Sequence, residues 1–358
     1  MESLFGIIFH SIGGFSSGSF YMPFKKVKDW AWESYWLVGG FFSWLIVPPI
    51  AAYLTIPNFA DIIADASSHV KMLAYTMGLI WGIGGLTYGL GVRYLGMSLG
   101  NSITLGFCSA FGALIPPIYY NFNAVEGKES ISDMFSNTGG QMVLFGVLVC
   151  IIGIAILGKA GILKEKDFVT GHEDKDKDFS LVKGLIIAIV SGILSSFFNF
   201  GIEAAKPMAD VANEAWKLSH PDQGEFLFQN NVSYIIILWG GLTTNFIWCI
   251  YLNFKNKTFG DYTDKRTPIS KNVLFSAIAG TMWFLQFFFY GMGESKLGNG
   301  PSSWILHMAF IILIANTWGL VLKEWKGVTR KTLNTIIIGI LVIVLSVLIV
   351  GYGNYLHE

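Results

Sequence analysis

The stretch TLNTIIIGILVIVLSVLIVGY, from Thr332 to Tyr352, carries no charged side chain in 21 residues. Two more uncharged stretches have similar length, MVLFGVLVCIIGIAILG (Met142–Gly158) and VSYIIILWGGLTTNFIWCIYL (Val232–Leu252). Apolar runs of this length are long enough to cross a bilayer as helices. Strands of a membrane barrel would instead alternate polar and apolar residues over about 10 residues. The runs therefore predict an all-α membrane protein.

The composition agrees with this class. Of the 358 residues, 53% are hydrophobic and 13% are charged, whereas soluble proteins carry about 25% charged residues. The formal net charge is zero, so it points to no charged partner such as nucleic acid. Cys108, Cys150 and Cys249 lie inside apolar runs, where cysteine acts as a small hydrophobe. We therefore expect no metal site and no cofactor.

The hydropathy pattern predicts ten membrane spans. Several glycine-rich and serine-rich spans have a weaker apolar signal than the three stretches above. The amino-terminal segment lacks the positive charges of a cleaved signal, so it is interpreted as a retained first span. The predicted spans are 3–23, 33–55, 71–92, 97–121, 139–158, 182–204, 229–254, 271–293, 299–322 and 332–352.

The positions of lysine and arginine predict the orientation. Most of the 24 basic residues fall in the loops after the first, third, fifth, seventh and ninth spans. Cytoplasmic loops carry such an excess of positive charge. Both termini should therefore face outward, into the periplasm of a bacterium if the membrane is an inner membrane. The charged segment 159–181 should be a cytoplasmic linker.

A short phrase occurs twice in the sequence, and it predicts an internal repeat. YGLGVRYLG (Tyr88–Gly96) and YGMGESKLG (Tyr290–Gly298) share a tyrosine, three glycines and a leucine at the same spacing. Upstream, Trp81 and Trp283 match at the same offset. Chance similarity between glycine-rich membrane helices is the alternative explanation.

A unit of five spans followed by a second such unit must enter the membrane from the opposite side. The fold predicted is thus ten transmembrane helices arranged as two inverted five-helix repeats. Residues 1–158 form the first repeat and residues 182–358 the second. Many secondary transporters are built this way, with the substrate site near the midplane between the repeats.

Five segments give the chain a family resemblance. They are FYMPFKKVKDWAWE (Phe20–Glu33), RYLGMSLG (Arg93–Gly100), AAKPM (Ala204–Met208), MWFLQFFFYGMG (Met282–Gly293) and SSWILHMAF with GLVLKEW (Ser302–Trp325). In this order they closely resemble the L-rhamnose–proton symporter family of the drug/metabolite transporter superfamily. The resemblance implies proton-coupled uptake of a 6-deoxyhexose across a bacterial inner membrane. Departures occur at Glu203, where an uncharged amide is expected, in segment 291–301 and in loop 209–228.

Polar groups at membrane depth are expensive and are functional candidates. His10 and His307 should lie at similar depths, and each could bind sugar hydroxyls or a proton, or could bond a neighbouring helix. Gln286 is flanked by aromatic residues, with Trp283 three residues before it and Tyr290 four after it on one helix face. An amide amid aromatic rings suits a sugar, although packing is the alternative. At the matching position of the first repeat stands Gly84.

Further candidates lie towards the span ends. Asn199 and Glu203 are one turn apart; they could bind the sugar, and Glu203 could bind the proton, cap the span or pair with Lys206. Glu33 is either a proton carrier or a carboxylate stabilised at a helix N-terminus. Arg93 is a gate residue or an ordinary anchor. The paired glycines are expected to permit gating motions, and they are Gly89, Gly91, Gly291 and Gly293.

The function predicted is proton-coupled import of L-rhamnose or a closely related deoxy sugar by alternating access. The partners expected are the sugar, a proton and the lipid bilayer, with no nucleic acid and no obligatory protein partner. Alternatives are an exporter or facilitator of another small metabolite, a sodium-coupled importer and a membrane sugar sensor. The sequence contains no HExxH motif, and a membrane enzyme is not expected.

Overall fold

The computed structural model describes residues 2–124, 130–170, 180–297 and 300–356. These residues form helices joined by turns and loops, and they contain no strand. One π-helical segment, Phe41–Ile46, follows the third helix, and one 3-10 helix covers Thr258–Tyr262. The α-helices are α1 Glu2–Ser19, α2 Tyr21–Phe24, α3 Trp32–Gly40, α4 Val47–Thr55, α5 Phe59–Asp65, α6 Ser68–Leu95, α7 Met97–Phe122, α8 Ile131–Ser136, α9 Thr138–Thr170, α10 Leu181–Ser195, α11 Phe197–Ser219, α12 Asn231–Asn256, α13 Ile269–Leu297, α14 Gly300–Val321 and α15 Arg330–Tyr355.

Eight segments of the described residues are long and apolar enough to cross a membrane. They are Trp32–Thr55, Ser98–Phe122, Thr138–Asp167, Leu181–Ser219, Asn231–Asn256, Ile269–Leu297, Ser303–Val321 and Arg330–Gly353. On α15, large apolar side chains that include Ile337, Leu341, Leu345 and Leu348 are exposed on one helix face, as expected for a surface in contact with lipid. The protein is therefore a multi-pass, all-helical membrane protein, as predicted.

Two other predicted spans, 3–23 and 71–92, coincide with α1 and α6, and their crossing of the membrane stays a prediction. The helix boundaries differ from the sequence expectation elsewhere. The α9 helix continues to Thr170, so the described part of the predicted linker, as far as that residue, is helical. The rest of the linker up to residue 179 lies outside the described residues, as does Gly298.

The chain divides into two compact units, and each combines one segment from the first half of the sequence with one from the second half. Unit 1 comprises residues 1–83 and 198–298, and unit 2 comprises residues 84–197 and 299–358. In unit 2, α9 packs along α15, and α7 packs against α10 and α14. Met134, Ile305 and Val350 belong to the buried apolar core of this unit.

In unit 1, α13 packs along α1 and also contacts α3 and the π-helical segment. The approach of α13 to α3 is close because two glycines meet. A Cβ added at Gly280 would lie 2.0 Å from the carbonyl oxygen of Gly39. Small residues let membrane helices pack backbone to backbone in this way. This packing fixes the rotation of α13 and therefore the direction in which its polar side chains point.

Candidate functional site

The candidate site of unit 1 is built on one face of α13. Trp283, Gln286 and Tyr290 are spaced three and four residues apart, and all three side chains are buried. That spacing places them above one another along a helix. The structure therefore brings together three of the residues that the sequence selected, and their neighbours on other helices define what the site can bind.

The α1 helix contributes His10, which is fully buried. The His10 ring lies 5.6 Å from the Tyr290 ring, measured between centroids. Gly293 makes room for the imidazole, because a Cβ at that position would lie 2.6 Å from His10 Nε2. At Gly291 a Cβ would lie 2.9 Å from the Tyr234 hydroxyl oxygen. In this structure α13 continues as helix through both glycines, so their visible role is to provide space; a hinge role stays a prediction.

The Gln286 side chain is 6% exposed, and within the described residues its amide has no hydrogen-bond partner. Gly84, the matching position of the first repeat, has a packing role in unit 2. A Cβ there would lie 2.7 Å from Ser195 Oγ, and the Gly84 carbonyl accepts a 2.8 Å hydrogen bond from Ser191 Oγ. A side chain is excluded at Gly84, whereas Gln286 presents a free amide.

Aromatic rings surround Trp283. Its ring centroid lies 4.3 Å from that of Phe20, 5.2 Å from that of Trp36 and 5.9 Å from that of Trp44. A second group of rings joins α6, α11 and α13, in which Trp81 contacts Phe198 at 4.9 Å and Phe287 at 5.9 Å. Phe198 and Phe287 are stacked at 4.1 Å. The two groups give this part of α13 an apolar surrounding, which is the kind of surface that suits the C–H face of a sugar or a methyl group.

The α11 helix contributes Asn199, which is buried, and Glu203, which is half-buried. The Glu203 carboxylate interacts electrostatically with Glu294 and Tyr290 on α13. Lys206 forms an ion pair with Asp210, in which Nζ lies 3.2 Å from Oδ1. Glu203 therefore lies within electrostatic range of Tyr290 and Glu294 in the α13 site.

Three residues at this end of the site escaped the sequence interpretation. Glu294 is half-buried and accepts a 2.7 Å hydrogen bond from Asn230 Nδ2. Tyr234, one turn after Asn230 on α12, is fully buried. A sequence signal for Glu294 existed, because it follows Tyr290 by four residues and Gln286 by eight, on the same helix face. Nothing in the sequence indicated that α12 supplies Asn230 and Tyr234.

Glu33 lies in the first turn of α3. Its hydrogen-bond partners form a polar cluster that is separate from the α13 site. Its Oε1 accepts hydrogen bonds from Asn256 Nδ2 and Thr258 Oγ1, each at 2.9 Å. Nearby, Ser34 Oγ donates to Asp261 Oδ2 at 2.6 Å, and burial raises the pKa of Tyr262. Two side-chain donors therefore hold the Glu33 carboxylate, and both interpretations of this residue, proton carrier and carboxylate at a helix N-terminus, stay predictions.

Four other predicted residues belong to unit 2. His307 on α14 is buried, and Arg93 in the last turn of α6 is exposed. Gly89 lies in the same helix. At Gly91 a Cβ would meet its nearest neighbours at an ordinary 3.7 Å, so space does not require glycine there. The roles of these residues in sugar binding or gating stay predictions.

A cavity of about 360 Å³ also lies in unit 1, at the ends of α4, α5 and α11. Its wall includes Trp216, whose ring is stacked against His220 at 4.4 Å and against Phe226 at 5.3 Å. None of the residues selected from the sequence lines this cavity. Both neighbouring rings are stacked against Trp216, so part of the indole surface that a sugar would need is already covered.

Comparison with known proteins gives a full-length match. The profile of the family described as L-rhamnose-proton symport protein (RhaT) matches residues 2–355. Proteins named L-rhamnose-proton symporter from Yersinia pestis (strain Pestoides F) and Yersinia pseudotuberculosis serotype O:1b (strain IP 31758) are 40% identical over 355 residues, covering 98% of each chain. A protein of the same name from Yersinia pestis bv. Antiqua (strain Antiqua) is 39% identical over the same length. A symport protein is a transporter, so the prediction of a transporter and not an enzyme is confirmed. This chain therefore belongs to the L-rhamnose-proton symport protein family.

Proposed function

We propose that this chain imports L-rhamnose or a closely related deoxy sugar together with a proton, by alternating access. The observation that carries the proposal is the 40% identity to proteins of that name over 98% of the chain. The α13 site supports it independently, because its chemistry suits a neutral sugar. The proposed cycle requires no protein partner.

The residues of the α13 site have distinct roles in this proposal. The Gln286 amide and the His10 imidazole bond sugar hydroxyls, since an amide can both donate and accept. The rings around Trp283 contact the C–H face of the sugar and its methyl group. Asn199 and Glu203 are further ligands on α11. The buried imidazole of His307 on α14 is proposed separately as a group that binds sugar hydroxyls.

Ten spans are proposed, with α1 and α6 added to the eight apolar segments. The α1 helix exposes Leu4, Phe5, Ile8 and Phe15, which suit contact with lipid. The α6 helix has 28 residues, and at about 1.5 Å per residue it exceeds the thickness of a bilayer core. The excess of basic residues in alternate loops supports periplasmic termini in a bacterial inner membrane.

The inverted repeat is supported by a pair of equivalent contacts inside unit 1. Gly39 of the second predicted span meets Gly280 of the eighth, with a Cβ-to-carbonyl distance of 2.0 Å. A Cβ at Gly78, in the third span, would lie 2.0 Å from the carbonyl oxygen of Ile237, next to Gly240 in the seventh. Exchanging the repeats converts one contact into the other. On this ground we infer two repeats, residues 1–158 and 182–358, and membership of the drug/metabolite transporter superfamily.

The test is transport by purified protein in proteoliposomes. Labelled L-rhamnose should exchange against unlabelled L-rhamnose, and an inward proton gradient should drive its accumulation. Sodium in place of the proton gradient should have no effect. Accumulation that ignores the pH gradient but follows sodium would refute proton coupling, and exchange of unrelated metabolites but not of L-rhamnose would refute the substrate.

A further inference from the structure

Glu294 is an ionisable residue near the end of α13 whose role the sugar site leaves open. It lies three residues before the end of the helix, which places it about 5 Å from that end at 1.5 Å per residue. Its Oε2 is held by the Asn230 amide at 2.7 Å. An ionisable side chain within a membrane helix is a functional candidate whose partner should be identified.

The charges around Glu294 are mostly negative. Glu203 on α11 and Glu225 before α12 interact with its carboxylate, and Lys206 is the basic residue in the same group. The Lys206 ammonium is already paired with Asp210 and its side chain is 48% exposed. A carboxyl group with negative neighbours and restricted access to water takes up a proton more readily than an isolated one in water.

A buried hydroxyl provides a second, independent observation. Tyr234 is 0% exposed, and among the described residues its hydroxyl has no hydrogen-bond partner. The Tyr234 side chain interacts electrostatically with Glu294, and its oxygen lies against Gly291, one turn before Glu294 on α13. An unsatisfied buried hydroxyl requires an explanation, and a group that binds and leaves beside it during the cycle supplies one.

We propose that Glu294 is the site that binds and releases the transported proton. An O–H bond forms on a Glu294 carboxylate oxygen with a proton taken from water on one side of the membrane, and it breaks when that proton passes to water on the other side. No bond of the sugar changes. This inference rests on the proposed function. The groups that face Glu294 are Glu203, Lys206, Glu225, Asn230, Tyr234, Tyr290 and, beyond Tyr290, His10.

The position of Glu294 explains how the proton and the sugar are linked. Tyr290 is one turn from Glu294 and interacts with it electrostatically, and the Tyr290 ring contacts His10. The proposed sugar ligands and the proton site therefore share the same helix face. A bound sugar excludes water from the neighbouring carboxyl groups, and a charged carboxylate is costly to desolvate. Protonation of Glu294 removes one of these charges, so sugar binding is more favourable when the proton is bound.

The test uses proteoliposomes with a pH-sensitive dye in the lumen and the membrane potential clamped to zero. With wild-type protein, an inward L-rhamnose gradient should acidify the lumen as sugar moves in. Glu294→Gln should still exchange L-rhamnose, but the acidification per sugar should be lost. Acidification at the wild-type ratio in Glu294→Gln would overturn the inference. Glu214→Gln, an exposed acid on α11, is the matched control and should remain coupled.

Glu203→Gln gives a second measurement in case Glu294→Gln does not fold. With one carboxylate removed, the pH at half-maximal exchange should move to more acidic values; an unchanged midpoint would overturn the inference. Wild-type protein that moves L-rhamnose without protons, or not at all, would refute the proposed function and the inference with it. Coupled wild-type protein with a coupled Glu294→Gln variant would refute the inference alone.

Discussion

Replacing Gln286 with leucine separates a ligand role from a packing role. The side chain is buried, and its amide has no hydrogen-bond partner within the described residues. If the amide serves the sugar, the Gln286→Leu variant should lose sugar affinity without losing stability. If the amide serves packing, the variant should lose stability first.

The expected magnitudes follow from this environment. The Gln286 amide makes no hydrogen bond to another described residue, so leucine removes no hydrogen bond within the protein and should leave the melting temperature in detergent unchanged or raised. Losing two hydrogen bonds to sugar hydroxyls, at about 0.5–1.5 kcal/mol each, weakens binding by about 1–3 kcal/mol. That loss corresponds to an increase of about 5- to 150-fold in the dissociation constant.

Asn245→Leu is the matched control, because it removes a buried amide that is fully bonded. Asn245 accepts from Trp36 Nε1 at 2.9 Å and donates to the carbonyls of Gly82 at 3.1 Å and Gly241 at 2.8 Å. At about 0.6 kcal/mol for each bond in a membrane protein, the variant should lose about 2 kcal/mol of stability. Its sugar affinity should stay at the wild-type value.

The assay measures L-rhamnose binding by the change in tryptophan fluorescence, and stability by thermal unfolding of the same preparations. Labelled-sugar exchange in proteoliposomes provides the functional check. Wild-type affinity in Gln286→Leu, or a drop in its melting temperature equal to that of Asn245→Leu, would refute the ligand role of Gln286.

Three further predictions concern glycines and Glu33. Gly293→Ala should impair sugar exchange because its Cβ would lie 2.6 Å from an imidazole nitrogen, whereas Gly91→Ala, with 3.7 Å of space, should exchange normally; equal losses in both would favour a hinge role. Glu33→Ala should lower stability by about 1–3 kcal/mol because two donors lose their acceptor. Glu33→Gln keeps an acceptor oxygen, so it should remain stable and proton-coupled in the lumen-acidification assay. An uncoupled Glu33→Gln variant would make this residue the proton carrier. Gly78→Ala and Gly280→Ala should each destabilise the protein by about 1–3 kcal/mol through overpacking, and a large difference between their melting temperatures would argue against equivalent contacts in the two repeats.

The sequence by itself determined the membrane class and the order of the helices, because uncharged runs of membrane length leave no alternative to burial in lipid. Helical spacing also determined that Trp283, Gln286 and Tyr290 share a face. These are local properties, since they depend on residues within a few turns of one another.

Only the tertiary structure decided what lies opposite that face. It places His10 against Gly293, Asn230 against Glu294 and the Tyr234 hydroxyl beside Gly291. A glycine in a sequence can indicate a hinge or a close contact, and only the neighbouring helix distinguishes the two. The partners come from α1, α11 and α12, which are distant in sequence from α13, and periodicity along one helix carries no information about which side chains another helix presents to it.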